Sequence, residues 1–279
     1  MDRATVVITG GSSGIGKALA KEYAARGMDV IIGARRKDVL EKTQKELSFF
    51  CTRDNSVFAY ELDVSNGKSI IRFIKNCIKD GKEIDILINC AGIAVCKEIE
   101  NTLPEEFADT AAINYLGTAL TVRHALPHIK KSARSRIVNV SSMAGVMGVY
   151  GYSAYTPSKY AVVGFSEVLR AELIPYKIGV SLVLPSDTDT PQLVNENRTK
   201  PAVTKQISGT IKPMTAEKAA QEIIRGIERG RFLIIPGFES KLVYTLNRLF
   251  PGLMYAYSKL IIKQHIKKST QDGKNRSLY

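Results

Sequence analysis

The segment Val6-Val7-Ile8-Thr9-Gly10-Gly11-Ser12-Ser13-Gly14-Ile15-Gly16-Lys17-Ala18 restricts the fold more than any other stretch of the chain. An apolar run leads straight into a glycine-rich turn and out into a helical pattern. The backbone must therefore leave a buried strand, reverse and enter a helix within a few residues. Gly10 allows the tight turn, Gly14 lets the backbone approach a bound group, and Gly16 permits close packing of the helix. The helix N-terminus directs unpaired N–H groups at the same spot, so the turn, with Ser12, Ser13 and Ile15 along it, reads as a cradle for an anion such as a pyrophosphate. Its spacing is Gly-x3-Gly-x-Gly, which differs from the commoner Gly-x-Gly-x-x-Gly.

The same alternation continues down the chain. Apolar runs at Val30–Ala34, Val57–Leu62, Ile86–Cys90, Ile137–Ser141 and Val180–Leu184 are separated by amphipathic stretches such as Lys37–Leu47 and Ser69–Lys79. Strand and helix in alternation predict an α/β fold, a doubly wound, Rossmann-like parallel sheet covered on both faces, completed by a short strand at Phe232–Ile235. No linker or internal repeat interrupts residues 1–236, which predicts one domain there with residues 237–279 as a helical extension.

Cys51, Cys77, Cys90 and Cys96 form no Cys-x-x-Cys pair, and with only three histidines in the chain neither a metal centre nor a disulfide framework is expected. The first strand begins within a few residues of Met1, which predicts no signal peptide, and no run reaches the roughly eighteen apolar residues of a membrane span. A cytoplasmic protein is the expectation. The net charge of +13 is spread through helices without an aromatic-interleaved cluster, which argues against nucleic acid as a partner.

The extension is different. Leu242, Val243, Leu246, Leu249 and Phe250 recur at helical spacing within Glu239–Phe250, Pro251-Gly252 breaks the pattern, and Leu253–Lys268 repeats an apolar stripe against Lys259, Lys263 and Lys267. Two readings fit: a basic amphipathic helix peripheral on a membrane surface, or a stripe packed over the domain or a sister subunit.

Two further features carry chemistry. After the second strand, where a carboxylate would meet the ribose hydroxyls of NAD, the chain has Arg35 and Arg36. A guanidinium matches a 2′-phosphate, so NADPH is favoured, with Arg35 the first candidate and Arg36 also explicable by solvation alone. Tyr155 and Lys159 lie four apart, on one face of a helix, where the ammonium would lower a phenol that ordinarily titrates near ~10. Pro157 between them is tolerable only in a first helical turn.

Thr9-Gly10-x3-Gly14-Ile15-Gly16, Asn89-Cys90-Ala91-Gly92, Asn114, Ser142, Tyr155 and Lys159 together resemble the short-chain dehydrogenase/reductase family over residues 4 to 236. Within it, Pro185-Ser186-Asp187-Thr188-Asp189-Thr190-Pro191 and Glu196-Asn197-Arg198-Thr199-Lys200-Pro201 resemble a narrower group, the 3-ketodihydrosphingosine reductases of sphingolipid synthesis. The resemblance implies reduction of a long-chain lipid ketone by NADPH. Tyr155 would act as proton donor, Ser142, thirteen residues before it, would orient the carbonyl in preference to Ser141, and Lys159 would also bind the nicotinamide ribose. Asn114 would hold a water linking Lys159 to solvent, although alone it reads as a helix kink.

By the same resemblance Asp63 and Val64 meet the adenine, Asn89, Ala91 and Gly92 pass beneath the ribose, and Pro185, Thr188 and Thr190 meet the nicotinamide carboxamide. Cys90 stands where the family has a second asparagine, and Ser186 where it has glycine. A homo-dimer or tetramer built on the tyrosine-bearing helix is also implied. Other apolar ketones or alcohols (steroid, retinoid, acyl chain) on the same frame, or an NADPH sensor without turnover, are the competing functions.

Overall fold

Val6, Val7 and Ile8 have no exposed surface, as a central parallel strand covered on both faces requires. The computed structural model describes residues 4–79, 82–209 and 212–271. Strands and helices alternate as β1 (Thr5–Thr9), α1 (Gly14–Ala25), β2 (Asp29–Ala34), α2 (Lys37–Ser48), β3 (Val57–Glu61), α3 (Gly67–Cys77) and β4 (Ile86–Asn89). There follow α4 (Pro104–Ala111), α5 (Gly117–Ile129), β5 (Arg136–Val140), α6 (Tyr155–Glu172) and β6 (Gly179–Val183). The remainder runs β7 (Thr188–Asp189), α7 (Pro191–Thr199), α8 (Ala202–Ser208), β8 (Met214–Thr215), α9 (Ala216–Glu228), β9 (Leu233–Ile234), α10 (Phe238–Leu249) and α11 (Pro251–Gln271).

The main sheet is seven-stranded and parallel, in the order β3-β2-β1-β4-β5-β6-β9. Successive side chains point to opposite faces. Val6, Ile8, Val30, Ile32, Ile88 and Val138 therefore join one core with α1, α2 and α9. Val7, Ile31, Leu87, Ile137 and Val180 join the other with α3, α5 and α6. The connections leave in opposite directions from β1 and β4, which opens a crevice at the carboxyl ends of the strands. The expected strands lie within one residue of their observed ends, and the parallel pair β7–β8 is additional.

Three local features aim residues at that crevice. Asn66 caps α3, its side chain accepting from the N–H groups of Lys68 and Ser69. A π-helical turn over Ala112–Leu116 joins α4 to α5 and carries Asn114. Pro157 falls in the first turn of α6, where its missing N–H costs no helical hydrogen bond.

The extension folds as two helices hinged at Pro251. Val243 and Tyr244 of α10 pack on Met143, Leu182, Leu184 and Ile235, and the Asn247 amide donates to the Val146 carbonyl at 3.1 Å. Ile261 of α11 is buried. Residues 272–279 of the expected extension lie outside the described residues.

Candidate active site

A cleft of about 870 Å³ runs along the carboxyl ends of the strands from the glycine turn to the underside of α10 and α11. At its first end Gly10 has φ +72°, and a Cβ there would come within 2.8 Å of the Ala91 backbone. Ser12, Ser13, Gly14 and Ile15 line this end, while Gly16 lies behind it, where a Cβ would meet the Gly10 carbonyl. Ser13 at the N-cap of α1 makes no side-chain capping bond. The N–H groups of Gly14 and Ile15 and the positive end of the helix are thereby left to the cleft, which suits a phosphate.

Arg35 and Arg36, exposed at the end of β2, border the cleft with Asp63 and Val64. Asp63 Oδ1 accepts from the Ser65 hydroxyl at 2.7 Å and the Ser65 N–H at 2.9 Å. Those hydrogen bonds, aided by the Arg35 charge, hold its carboxyl below the ordinary range against the cost of burial.

Ala91 and Gly92 form the floor. The N–H groups of Cys90 and Ala91 both donate to Thr9 Oγ1, at 3.1 and 3.2 Å. Asn89 does not reach the cleft: its amide donates to Asn139 Oδ1 at 2.9 Å, and Asn139 donates in turn to Ser166 Oγ at 3.0 Å, tying β4 through β5 to α6. Burial pushes the Cys90 thiol up to about 11, with a hydrogen bond from the Gly16 N–H pulling the other way. A neutral thiol therefore tethers the start of α1 at the position where the family carries an amide.

Ser142, Tyr155 and Lys159 converge on the middle of the cleft. Ser142 hydrogen-bonds Tyr155, and its Oγ accepts from the Ala144 N–H at 3.1 Å. Ser141 instead donates to the Lys159 carbonyl at 2.8 Å, a bond that ties α6 to the end of β5. Lys159 Nζ donates to the Val140 carbonyl at 3.1 Å and lies 5.7 Å from the Tyr155 ring centre. Asn114 sits behind, its Nδ2 donating to the Ile93 carbonyl and to Ser158 Oγ, both at 2.9 Å, and its Oδ1 accepting from the Ile93 N–H at 2.9 Å.

The simplest expectation for Tyr155, a phenol drawn down by Lys159, is not the balance in this fold. Burial pushes the phenol well up, the negative charge of Glu196 adds to it, and the hydrogen bond from Ser142 only partly opposes it. Burial also lowers the Lys159 ammonium to about 8. Both groups are biased toward their uncharged forms, as low-dielectric surroundings require.

Over the second half of the cleft, Pro185, Thr188 and Thr190 come from the segment after β6. The Thr188 hydroxyl donates to the Ser186 carbonyl at 3.0 Å, and Thr190 caps α7 by accepting from the Leu193 N–H at 3.4 Å. Met147, Val149 and Tyr152 form an apolar wall, roofed by Val243 of α10 and by Met254 and Tyr257 of α11. The Tyr152 and Tyr155 ring centres are 5.5 Å apart. Sequence reasoning singled out neither Tyr152 nor these roof residues as part of a site. The run Glu196–Pro201 entered the sequence reading only through its resemblance to the narrower group; the i,i+4 spacing of Glu196 and Lys200 is a signal that could have found the polar corner beside them.

Residues 4–201 match the family model described as short chain dehydrogenase. The chain is 38% identical over 255 residues to the 3-ketodihydrosphingosine reductase of Bos taurus, covering 90% of this chain and 75% of that one. Among solved structures, a short chain dehydrogenase/reductase from Burkholderia phymatum in complex with NAD superposes with a TM-score of 0.79 at 23% identity, over 90% of this chain and 95% of the other. A short-chain dehydrogenase from Sphingobium yanoikuyae in complex with NADPH gives 0.75 at 27%, with the same coverage of 90% and 95%. A parallel sheet crossed by this cleft, a family match over most of its length and a relative more than a third identical make the chain a member of the short-chain dehydrogenase family, an oxidoreductase.

Proposed function

We propose that this oxidoreductase reduces 3-ketodihydrosphingosine, a long-chain 2-amino-1-hydroxy-3-ketone, to dihydrosphingosine with NADPH as the reductant. The observation that carries the reading is the position of Tyr155 and Ser142, at the junction between the glycine-turn half of the cleft and an apolar chamber under α10 and α11. The first half fits a dinucleotide: a positive-φ turn, an uncapped helix N-terminus and two guanidinium groups where a 2′-phosphate would fall. The second half fits an aliphatic chain.

When bound, the cofactor supplies a hydride to the carbonyl carbon. Tyr155, kept protonated by burial, gives its proton to the carbonyl oxygen as negative charge develops there. Ser142, already bonded to Tyr155, orients that oxygen. Lys159 restores the proton from the far side of the phenol and takes the nicotinamide ribose. A Cβ at Gly92 would lie 3.1 Å from Asn114 Oδ1 and 3.4 Å from Lys159 Nζ. That shared approach supports Asn114 as the group that holds a relay from Lys159 toward solvent.

We further infer peripheral contact with a membrane through the outer surface of the extension. Leu249, Phe250, Tyr255 and Leu260 are each more than half exposed there, beside exposed Lys259, Lys263 and Lys267. No helix among the described residues is long and apolar enough to cross a membrane.

The test is incubation of the purified chain with NADPH and 3-ketodihydrosphingosine. Dihydrosphingosine identified by mass, formed in step with NADPH loss, is the expected result. Reduction of a steroid, retinoid or acyl-chain ketone but not of the aminoketone would move the assignment to that substrate.

A further inference from the structure

Beside Tyr155 the cleft holds a charge cluster that the reduction itself does not use. Glu196, on α7, is only 8% exposed yet lines the cleft, and carboxylates are seldom so buried unless paired. Its Oε2 accepts from the Tyr152 hydroxyl at 2.9 Å, and its Oε1 accepts from Gln192 Nε2 at 3.1 Å. Lys200, one helical turn on and almost fully buried, places Nζ 3.8 Å from Glu196 Oε2 and 3.5 Å from Asp187 Oδ2.

Two carboxyl groups thus face one ammonium. Glu196 and Asp187 border the cleft and Lys200 does not, so the formal excess of one negative charge lies on the side a ligand enters. An uncompensated charge in a largely apolar cleft is costly. It also works against ionisation of the neighbouring phenol, since Glu196 and Asp187 both push Tyr155 upward. A cation supplied by the substrate would remove both penalties.

We propose that Glu196, with Asp187 as the second carboxylate, receives the ammonium at C2 of the substrate, one carbon from the ketone that Tyr155 protonates. The inference rests on the aminoketone reading above and names the chemistry by which that substrate is told from other long-chain ketones. Any ketone of the right shape fits the apolar wall of Met147, Val149 and Tyr152; only one with a cation next to its carbonyl completes the cluster. Gln192 and Tyr152 fix the carboxylate, and Lys200 limits its charge so that a single cation is matched.

The experiment compares 3-ketodihydrosphingosine with the same chain bearing hydrogen in place of the C2 amine, on the full-length wild type and on Glu196→Gln. The wild type is expected to favour the amine in kcat/KM by about tenfold to a hundredfold, the scale of one charge-assisted contact. Glu196→Gln should collapse that ratio toward unity, with NADPH affinity and melting temperature reporting on the fold. A wild type that reduces both ketones equally, or a variant that keeps the wild-type ratio, overturns the ammonium contact while leaving the reductase assignment standing. A wild type that reduces only the amine-free ketone overturns the aminoketone reading and this inference with it. Should Glu196→Gln not fold, the wild-type ratio alone decides.

Discussion

A phenol packed among Cys96, Ala144 and Tyr152 keeps its proton, and that makes Tyr155 suited to giving it up only when an alkoxide forms beside it. Replacing it with phenylalanine removes the donor and leaves the ring. Tyr155→Phe should retain NADPH binding and lose ketone reduction by at least about two orders of magnitude, the usual scale of general acid catalysis. Near-normal turnover, measured by NADPH loss, would end its role as proton donor. At the other end of the cleft Arg35 is exposed and borders the site with Arg36. Arg35→Ala should weaken NADPH by about tenfold to a hundredfold, the equivalent of losing about 1.5–3 kcal/mol of charge-assisted bonding, and NADH much less. Titration of both cofactors checks this, and equal weakening would make Arg35 a structural residue.

The glycine turn is an element whose role depends on its backbone. Gly10 combines φ +72° with a Cβ position 2.8 Å from the Ala91 backbone, so no flexible side chain can yield to a substituent. Gly10→Ala should cost at least about 1 kcal/mol from the left-handed conformation alone, lower the melting temperature by several degrees and weaken both dinucleotides. An unchanged melt would mean that β4 and the turn can move apart. Elements of this kind were legible in the sequence because their signals are local: apolar runs announce buried strands, and glycines announce the turn. Ser142 was legible through its spacing to Tyr155, and the structure sets Ser141 apart by giving it to the Lys159 carbonyl. The two-residue strands β7 and β8 were not, since a pair so short has no periodicity to read. Nor was the balance at Tyr155. Residues four apart reveal that an ammonium lies near a phenol, but burial and Glu196, far along the chain yet close in space, decide the direction of the shift and are properties of the assembled fold.

For the whole molecule the open physical choice lies in the extension, whose stripes told that something is covered without telling what. Its inner side is taken: Val243, Tyr244 and Asn247 seal the domain, and Met254 and Tyr257 roof the cleft. Cutting the chain after Ser240 would therefore strip a lid and expose the core around Leu182 and Leu184, so truncation mixes two effects. Substitution on the outer side separates them. Leu249, Phe250 and Leu260 are 65%, 58% and 54% exposed and do not line the cleft. With the net charge of +13 and the exposed Lys259, Lys263 and Lys267 beside them, they form a surface that anionic headgroups would attract by about 1 kcal/mol per cation near the bilayer. The full chain should co-sediment with vesicles containing phosphatidylserine, less so as salt rises, and scarcely with neutral vesicles. The triple change Leu249→Ser, Phe250→Ser and Leu260→Ser should lower that binding while the melting temperature holds, because no core contact is removed. Equal sedimentation of the two proteins, or none by the wild type on anionic vesicles, would assign the extension to the cleft alone, as a lid that closes over substrate.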